Sequence, residues 1–405
     1  MRIFRPTTHL RAFSALLFGA SSLFAALAGT DQAWGLYVVS CACLVAGWLL
    51  LVWEEQSPRA RNRLEEEYDD YLYHYGAASA ASIRLLGAAD ECFPPQVVRC
   101  LPSTSPYGLP DEFLDTRNEV IARLHDEASR HNRMFFDGPN TRLIDYSSSP
   151  VDASEQKHLT LTLGPVNWFD YSVCEWHLDR MLDPLDLGRL RKYVNLEEVA
   201  RSGTIKNSTL SNILCTATTL VTADAHLVFS KRSDRVSPKH LRFTSCVAEN
   251  IHQEKDRSLE PESGGLPTPY RAALRGIEEE VSPRLAAMVR QTPRHLMLLG
   301  IDFDLESFHP DLLFLLIWPG SLAEIEVMWK QNPGPDFIEG NLQATPMNRG
   351  AIEQLLLLPD WIPGGKASVI RALEFVSALR VRFRGQSLNA ILERVIRGEY
   401  PSRHH

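Results

Sequence analysis

Between Thr268 and Val281 the chain places Arg275 ahead of three consecutive carboxylates, Glu278, Glu279 and Glu280. The spacing is helical. Thr268 suits the N-cap and Pro269 the first helical position, and Tyr270, Ala273, Leu274, Ile277 and Val281 make one apolar stripe. Arg275 and Glu279 stand four apart and can pair. Three carboxylates near a helix C-terminus oppose its dipole, so a bound cation would relieve them; a solvated acidic face is the plainer alternative. A second cluster is basic. Lys231, Arg232, Arg235, Lys239, His240 and Arg242 crowd a short stretch of an otherwise acidic chain, and arginine forks suit phosphate oxygens. A solvated basic loop is again the plainer alternative. Asn207 and Asn212 can read a base edge and Tyr270 can stack on a base, although each also has an ordinary structural use. His177, His226, His252 and His295 show no ligand spacing, and no metal ligand is assigned.

These residues need a scaffold. The segments 212–221 and 226–231, joined by a polar turn at Ala223-Asp224, predict a hairpin that ends in the basic cluster. Leu296–Phe303 and Leu312–Trp318 predict further strands, the second buried and too short to cross a membrane. Upstream, Leu159, Leu161 and Leu163 alternate with Thr160 and Thr162 in the period of a half-buried strand. Helices are predicted over Glu112–Asn132, where Val120, Leu124 and Ala128 share a face, around Leu185–Arg201, and over Ala367–Phe383 and Leu388–Gly398. Leu64, Tyr68, Tyr71, Leu72 and Tyr75 predict an amphipathic connecting helix, and the Ala-, Ser- and Pro-rich stretch from Gly76 to about Pro110 predicts irregular structure. The expected fold of this part is α+β.

At 405 residues the chain is long enough for an anchor and one or two further domains. Leu10–Gly29 and Trp34–Trp53 are apolar runs of the length a membrane-crossing helix needs. Only Thr30–Ala33 separates them, which predicts an antiparallel transmembrane hairpin. Arg2, Arg5 and Arg11 precede it and Arg59, Arg61 and Arg63 follow it, whereas the loop carries only Asp31, so both termini are expected in the cytoplasm. A secretory signal cleaved after Ala26-Leu27-Ala28 is the rival reading, disfavoured by the second span. Trp34, Trp48 and Trp53 suit interfacial anchors, and Ala15, Gly19, Ser22 and Ala26 form a small-residue row that permits close helix packing, within one hairpin or between hairpins. Seven scattered cysteines without paired spacing fit a reducing compartment, and a formal net charge of -8 argues against a DNA or RNA polymer as partner.

The run Ala273-Leu274-Arg275-Gly276-Ile277-Glu278-Glu279-Glu280 resembles the end of the Nudix box, and the hairpin ending Phe229-Ser230-Lys231-Arg232-Ser233 resembles that fold's early strands. The resemblance covers roughly the last half of the chain and implies an α/β/α sandwich with a mixed sheet, in which box glutamates hold magnesium against a diphosphate. Arg275, Glu279 and Glu280 occupy box positions. Gly276 stands where the first glutamate of the run belongs, Pro267 where the upstream one belongs, Cys246–Gly265 lacks the glycine-rich approach, and Ser282-Pro283 replaces the closing residues. Such a box should hold metal poorly and catalyse little.

A two-span hairpin followed by a degenerate Nudix domain resembles the membrane effectors of bacterial cyclic-oligonucleotide-based anti-phage signalling systems. That resemblance implies a receptor in the inner membrane. It would bind a cyclic di- or oligonucleotide through Asn212, Lys231, Arg232, Arg235, His240, Arg242 and Tyr270, self-associate, and disrupt the bilayer, with no cofactor required. The alternative is a membrane-tethered, magnesium-dependent Nudix hydrolase of a nucleoside diphosphate derivative, using Glu278, Glu279, Glu280 and Glu339; a third is a structural membrane protein that binds only other proteins. The expected layout is an anchor over 1–56, a connecting helix and linker over 57–110, an α+β region over 111–206, the Nudix-like domain over 207–385 and a C-terminal helix and tail over 386–405.

Overall fold

A computed structural model describes residues 64–103, 105, 107–131, 137–151, 154–176, 194–233, 241–258, 265–336, 340–397 and 399. The chain divides into two units, Met1–Glu67 and Tyr68–His405. The expected transmembrane hairpin, Arg235, Lys239, His240, His177 and Glu339 lie outside the described residues. Among those that are described, no helix is long and apolar enough to cross a membrane.

The second unit is α+β and built on a mixed nine-stranded sheet. Its centre is three strands buried along their whole length: β6 (Cys215–Thr222), β10 (Leu296–Asp304) and β11 (Pro310–Trp318). Strands buried on both faces read as continuous apolar runs, which is why Leu312–Trp318 was legible as a strand. The main path is β1-β2-β10-β11-β6-β7-β12, where β1 is Leu72–Tyr75, β2 Ala78–Leu86, β7 His226–Arg232 and β12 Gly340–Pro346. Two short strands branch from it: β8 (Phe243–Thr244) pairs with β7, and β9 (Val247–Asn250) with β6. β11 and β6 run parallel while the other pairs are antiparallel. The expected hairpin is β6–β7, its turn closed by Ala225 at φ +60° and by the Ala225 N–H donating to the Thr222 carbonyl at 2.9 Å.

Two expectations are corrected at the start of this unit. The stripe from Leu64 to Tyr75 is not one helix: residues 64–67 are helical, Asp69–Tyr71 is a 3-10 turn, and Leu72–Tyr75 is β1. The stretch from Gly76 to Pro110 is only partly irregular, because residues 98–102 form a strand and β2 lies there and pairs with β10, setting Ile83 opposite Phe303. The alanines and serines of β2 carry little hydrophobic signal, yet Ala80, Ser82 and Ile83 are fully buried. Their burial is decided by a partner strand more than two hundred residues away, which no local window contains.

A three-stranded sheet runs β3-β5-β4, formed by β3 (Val98–Pro102), β4 (Pro139–Val151) and β5 (Ser154–Asn167). Leu159, Leu161 and Leu163 point into its core as expected. The expected helix after Glu112 is α1 (Leu114–His131), joined to α2 (Trp168–Trp176) by Arg117 and Asp170 at 2.6 Å. The start of β4 docks on the large sheet: the Thr141 N–H donates to the Ile251 carbonyl and the Leu214 N–H to the Thr141 carbonyl, each at 2.8 Å. α3 (Leu196–Ser202) is capped by Asn195.

Helices cover both faces of the large sheet. α4 (Pro269–Gly276) lies against β6 and β9, with Tyr270 edge-on to Phe314 at 5.1 Å. A π turn, Ile277–Val281, links it to α5 (Pro283–Gln291). α6 (Leu322–Gln331) and α7 (Arg349–Leu356) follow β11 and β12. On the opposite face α8 (Pro363–Arg382) crosses β2, β10, β11 and β6, so Val369, Leu373, Phe375 and Val376 share a core with Ala217, Leu299, Leu313 and Leu315; α9 (Leu388–Ile396) adds Ile391, Leu392 and Val395. Each such aliphatic side chain contributes about 1.5–3 kcal/mol by burial. Arg371, fully buried in α8, donates to the carbonyls of Ala88, Ala89, Glu91 and Leu299 and so fixes the 88–91 loop to β10.

Candidate functional site

α4 begins as the sequence predicts: Thr268 Oγ1 accepts from the Arg271 N–H, and Pro269 takes the first position. One turn later Arg275 becomes the centre of an ion-pair network. Its Nε and Nη2 donate to the two carboxylate oxygens of Asp256 at 3.0 and 3.1 Å, and its Nη1 to Glu249 and to Glu279 at 2.8 Å each. Nη2 also donates to the Asn250 carbonyl at 2.7 Å. Burial would lower the Arg275 pKa, but Asp256, Glu249 and Glu279 together hold it above the ordinary arginine value. Asp256 is fully buried and its carboxylate also receives the His252 N–H at 2.7 Å. A cation with this many charge-assisted bonds is a fixed structural element; leaving its buried carboxylates unpaired would cost about 3–5 kcal/mol.

Gly276 is what makes the network possible. A Cβ at this position would lie 2.4 Å from Val247 Cγ1 and 2.7 Å from Glu249 Cγ, so β9 passes too close for any side chain. Glu249 thus occupies the space in which a residue 276 side chain would begin. Of the remaining box acids, Glu278 pairs with Arg290, Glu279 lies 3.7 Å from Lys255 Nζ, and Glu280 accepts the Ala248 N–H at 3.1 Å. Asp336 joins the edge of the group, its pKa raised by burial and by Glu279. Pro267 is buried and bridged to Arg257. This donor set does not fit the magnesium cradle that the Nudix resemblance implies, because its carboxylates are directed at protein cations and backbone N–H groups.

The expected ligand residues fall into separate places. The β7–β8 pairing brings Lys231, Arg232 and Arg242 together: Lys231 lies opposite Phe243, with Nζ 5.0 Å from that ring's centroid, and the Arg232 N–H donates to the Arg242 carbonyl at 2.9 Å. Lys231 and Arg232 stay partly exposed. Arg242 forks onto Glu306, with one contact at 2.8 Å, and onto the Trp361 carbonyl. Tyr270 spends its hydroxyl between the Phe93 carbonyl and the Leu298 N–H, the latter at 3.2 Å. Asn212 is buried at φ +47°, with Nδ2 turned to the Ile205 carbonyl at 3.4 Å. Asn207 bonds Glu198 at 2.8 Å. Asn212 is therefore closed off inside the fold, whereas Asn207 is exposed.

Sequence reasoning missed Glu249 and Asp256, which lie 26 and 19 residues before Arg275. It also missed a polar row inside the large sheet. Asp302 lies opposite Asp311, Asp311 opposite Cys215, and Cys215 opposite Asn250, across β10, β11, β6 and β9. Residues directly opposite in a sheet share a face, here the face of α8. His309 joins them from the turn before β11, its Nε2 3.5 Å from Asp311 Oδ1, and Cys215 Sγ donates to Asn250 Oδ1 at 2.8 Å. Burial pulls the His309 pKa down, yet Cys215 and Asp311 hold it well above the usual histidine value. Burial and Asp311 push Asp302 up, against a hydrogen bond from Ser82 at 2.5 Å. Asn250 links this row to the Arg275 network on the other face, giving its side chain to Cys215 and its carbonyl to Arg275. Compared with protein-family models and with curated protein sequences, the chain matches none.

Proposed function

We propose that the chain is an inner-membrane effector of anti-phage defence that senses a cyclic di- or oligonucleotide through a degenerate, Nudix-like α/β/α domain and self-associates to disrupt the bilayer. The observation that carries this reading is the pair Arg275-Gly276. Position 276 has no room for the glutamate a hydrolase would place there, and Arg275 already engages Asp256, Glu249 and Glu279. A box helix of this kind supports binding without turnover. The partly exposed Lys231 and Arg232, with Arg235, Lys239 and His240 following them in sequence, supply cations for the phosphates of the ligand. Ligand shifts an assembly equilibrium only through tighter binding to the assembled state.

Calorimetry of the full chain in detergent against cyclic di- and trinucleotides, with linear nucleoside diphosphates as controls, tests the proposal. Tight binding of one cyclic compound without its breakdown is expected. Absence of cyclic binding, with turnover of a linear control, would overturn it.

A second reading, a magnesium-dependent hydrolase of a nucleoside diphosphate derivative, is favoured by one observation: Glu249 sits beside Glu279 where the residue 276 side chain would begin. It requires magnesium-dependent phosphate release that Glu249→Gln and Glu280→Gln both abolish.

A further inference from the structure

We propose that Cys215, His309 and Asp311 form a divalent-metal site with zinc as its natural occupant, and that Asp302 supports it. The donor atoms of the three residues lie within 4.8 Å of one another. Tetrahedral zinc, with bonds of about 2.0–2.3 Å, sets its donors about 3.3–3.8 Å apart, so small side-chain movements would complete the geometry. The backbone already enforces the grouping, because Asp302, Asp311 and Cys215 stand in one register row on one face of three adjacent strands. His309 is two residues from Asp311 on the turn that closes the row.

Charge points the same way. Asp302 is fully buried; one of its oxygens accepts from Ser82, while the other, Oδ1, has no hydrogen-bond partner among the described residues. No lysine or arginine is ion-paired with Asp302 or Asp311 among those residues; the only basic partner of Asp311 is His309. A buried carboxylate pair with a single imidazole as its basic neighbour is costly to ionise, and a dication in place of the His309 proton supplies more charge at the same point. The donor types choose the metal, since a thiolate with an imidazole selects zinc over magnesium or calcium. Cys215, His309 and Asp311 retain 9%, 7% and 6% exposure, a narrow path for an ion to enter. α8 closes the site from above: a Cβ on Gly364 would lie 1.9 Å from Asp311 Oδ2, so the helix N-terminus rests on that carboxylate. Tyr171 of α2 meets the His309 ring edge-on at 6.1 Å. A bound ion would therefore pin β6 to the β10–β11 turn, beneath α8 and beside α2.

The test uses the metal-free full chain titrated with cobalt(II), then with zinc as competitor. Stoichiometric cobalt uptake with a thiolate-to-cobalt charge-transfer band is expected, and zinc should displace it. Cys215→Ser should abolish the band, and Asp302→Asn should weaken binding about 10–100-fold, the usual cost of removing a carboxylate that supports a metal site. Circular dichroism checks folding; should Cys215→Ser fail to fold, Cys215→Ala with the same readout decides. A wild-type chain without the charge-transfer band, or a band that survives in the folded variant, would overturn the proposal.

Discussion

Arg275 and Gly276 are neighbours with opposite demands: the first needs partners on every side, the second needs none of its own. The Arg275 fork reaches Glu249 only because β9 approaches α4 closely enough to leave no space for a Cβ at 276. Gly276→Glu therefore restores the box in sequence without restoring it in space. Overpacking of this kind costs about 1–3 kcal/mol, and the new carboxylate would also crowd Glu249. The urea midpoint of the variant should fall, and magnesium-dependent phosphate release from nucleoside diphosphate derivatives should not appear; an active variant of unchanged stability would show that β9 moves aside readily. The thiols give a second prediction. Burial pushes Cys100 up to about 12, and burial, opposed by Arg371 and aided by Glu91, does the same for Cys92. The unfolded chain ionises both near their ordinary value of 9.0, so between pH 9.0 and about 12 it binds fewer protons than the folded one and stability falls as pH rises. The denaturation midpoint of Cys92→Ala/Cys100→Ala should decline less steeply over that window, and equal slopes would contradict the assignment.

At the scale of elements, the turn after α4 explains how an acidic run is kept ordered. Widening to a π turn over Ile277–Val281 releases carbonyls that an α-helix would bind internally. The Glu279 carbonyl receives the Asp336 N–H at 2.8 Å and the Val281 carbonyl the Gly334 N–H at 3.3 Å, so the loop after α6 is fastened to the box. Gly334 permits this because a Cβ there would lie 2.0 Å from the Glu279 carbonyl oxygen. Gly334→Ala should detach the loop: amide exchange at residues 334–336 should accelerate, with a global loss of about 1–3 kcal/mol, and unchanged exchange would remove the argument. The same scale separates what could be read beforehand from what could not. The cap at Thr268, the β6–β7 hairpin and the buried β10 and β11 are local patterns, and the structure follows them, whereas the expected stripe of α4 holds only at Ala273, Ile277 and Val281, with Tyr270 and Leu274 half-buried. β2 is not local, since its Ala-Ser composition becomes a buried strand only through β10. Glu249, Asp256 and the row Asp302-Asp311-Cys215-Asn250 were illegible for the same reason. Strand register, set by pairing across long separations, places Glu249 and the row, Asp256 comes from the turn after β9, and their spacing along the chain carries no period.

For the whole molecule, the described residues from Tyr68 onward belong to one unit, and the sequence before it carries the apolar runs 10–29 and 34–53. The proposed effector needs both parts. Binding in the second would be silent unless the first held the molecule in a bilayer, and the hairpins would stay dispersed unless bound ligand favoured their assembly. Deleting residues 1–56 separates these roles. The full chain should remain with bacterial membranes through an alkaline carbonate wash, which releases peripheral proteins, whereas the shortened chain should appear in the aqueous fraction. Release of the full chain by carbonate would exclude two spanning helices. If the full chain stays, the cyclic compound that binds by calorimetry should raise its assembly state in lipid nanodiscs and make dye-loaded vesicles leak. The shortened chain, offered the same compound, should bind it and leave the vesicles intact. Leakage caused equally by both forms would place the membrane-active surface in the Tyr68–His405 unit, where the one 20-residue helix among the described residues, α8, is already buried against the sheet and would have to leave it.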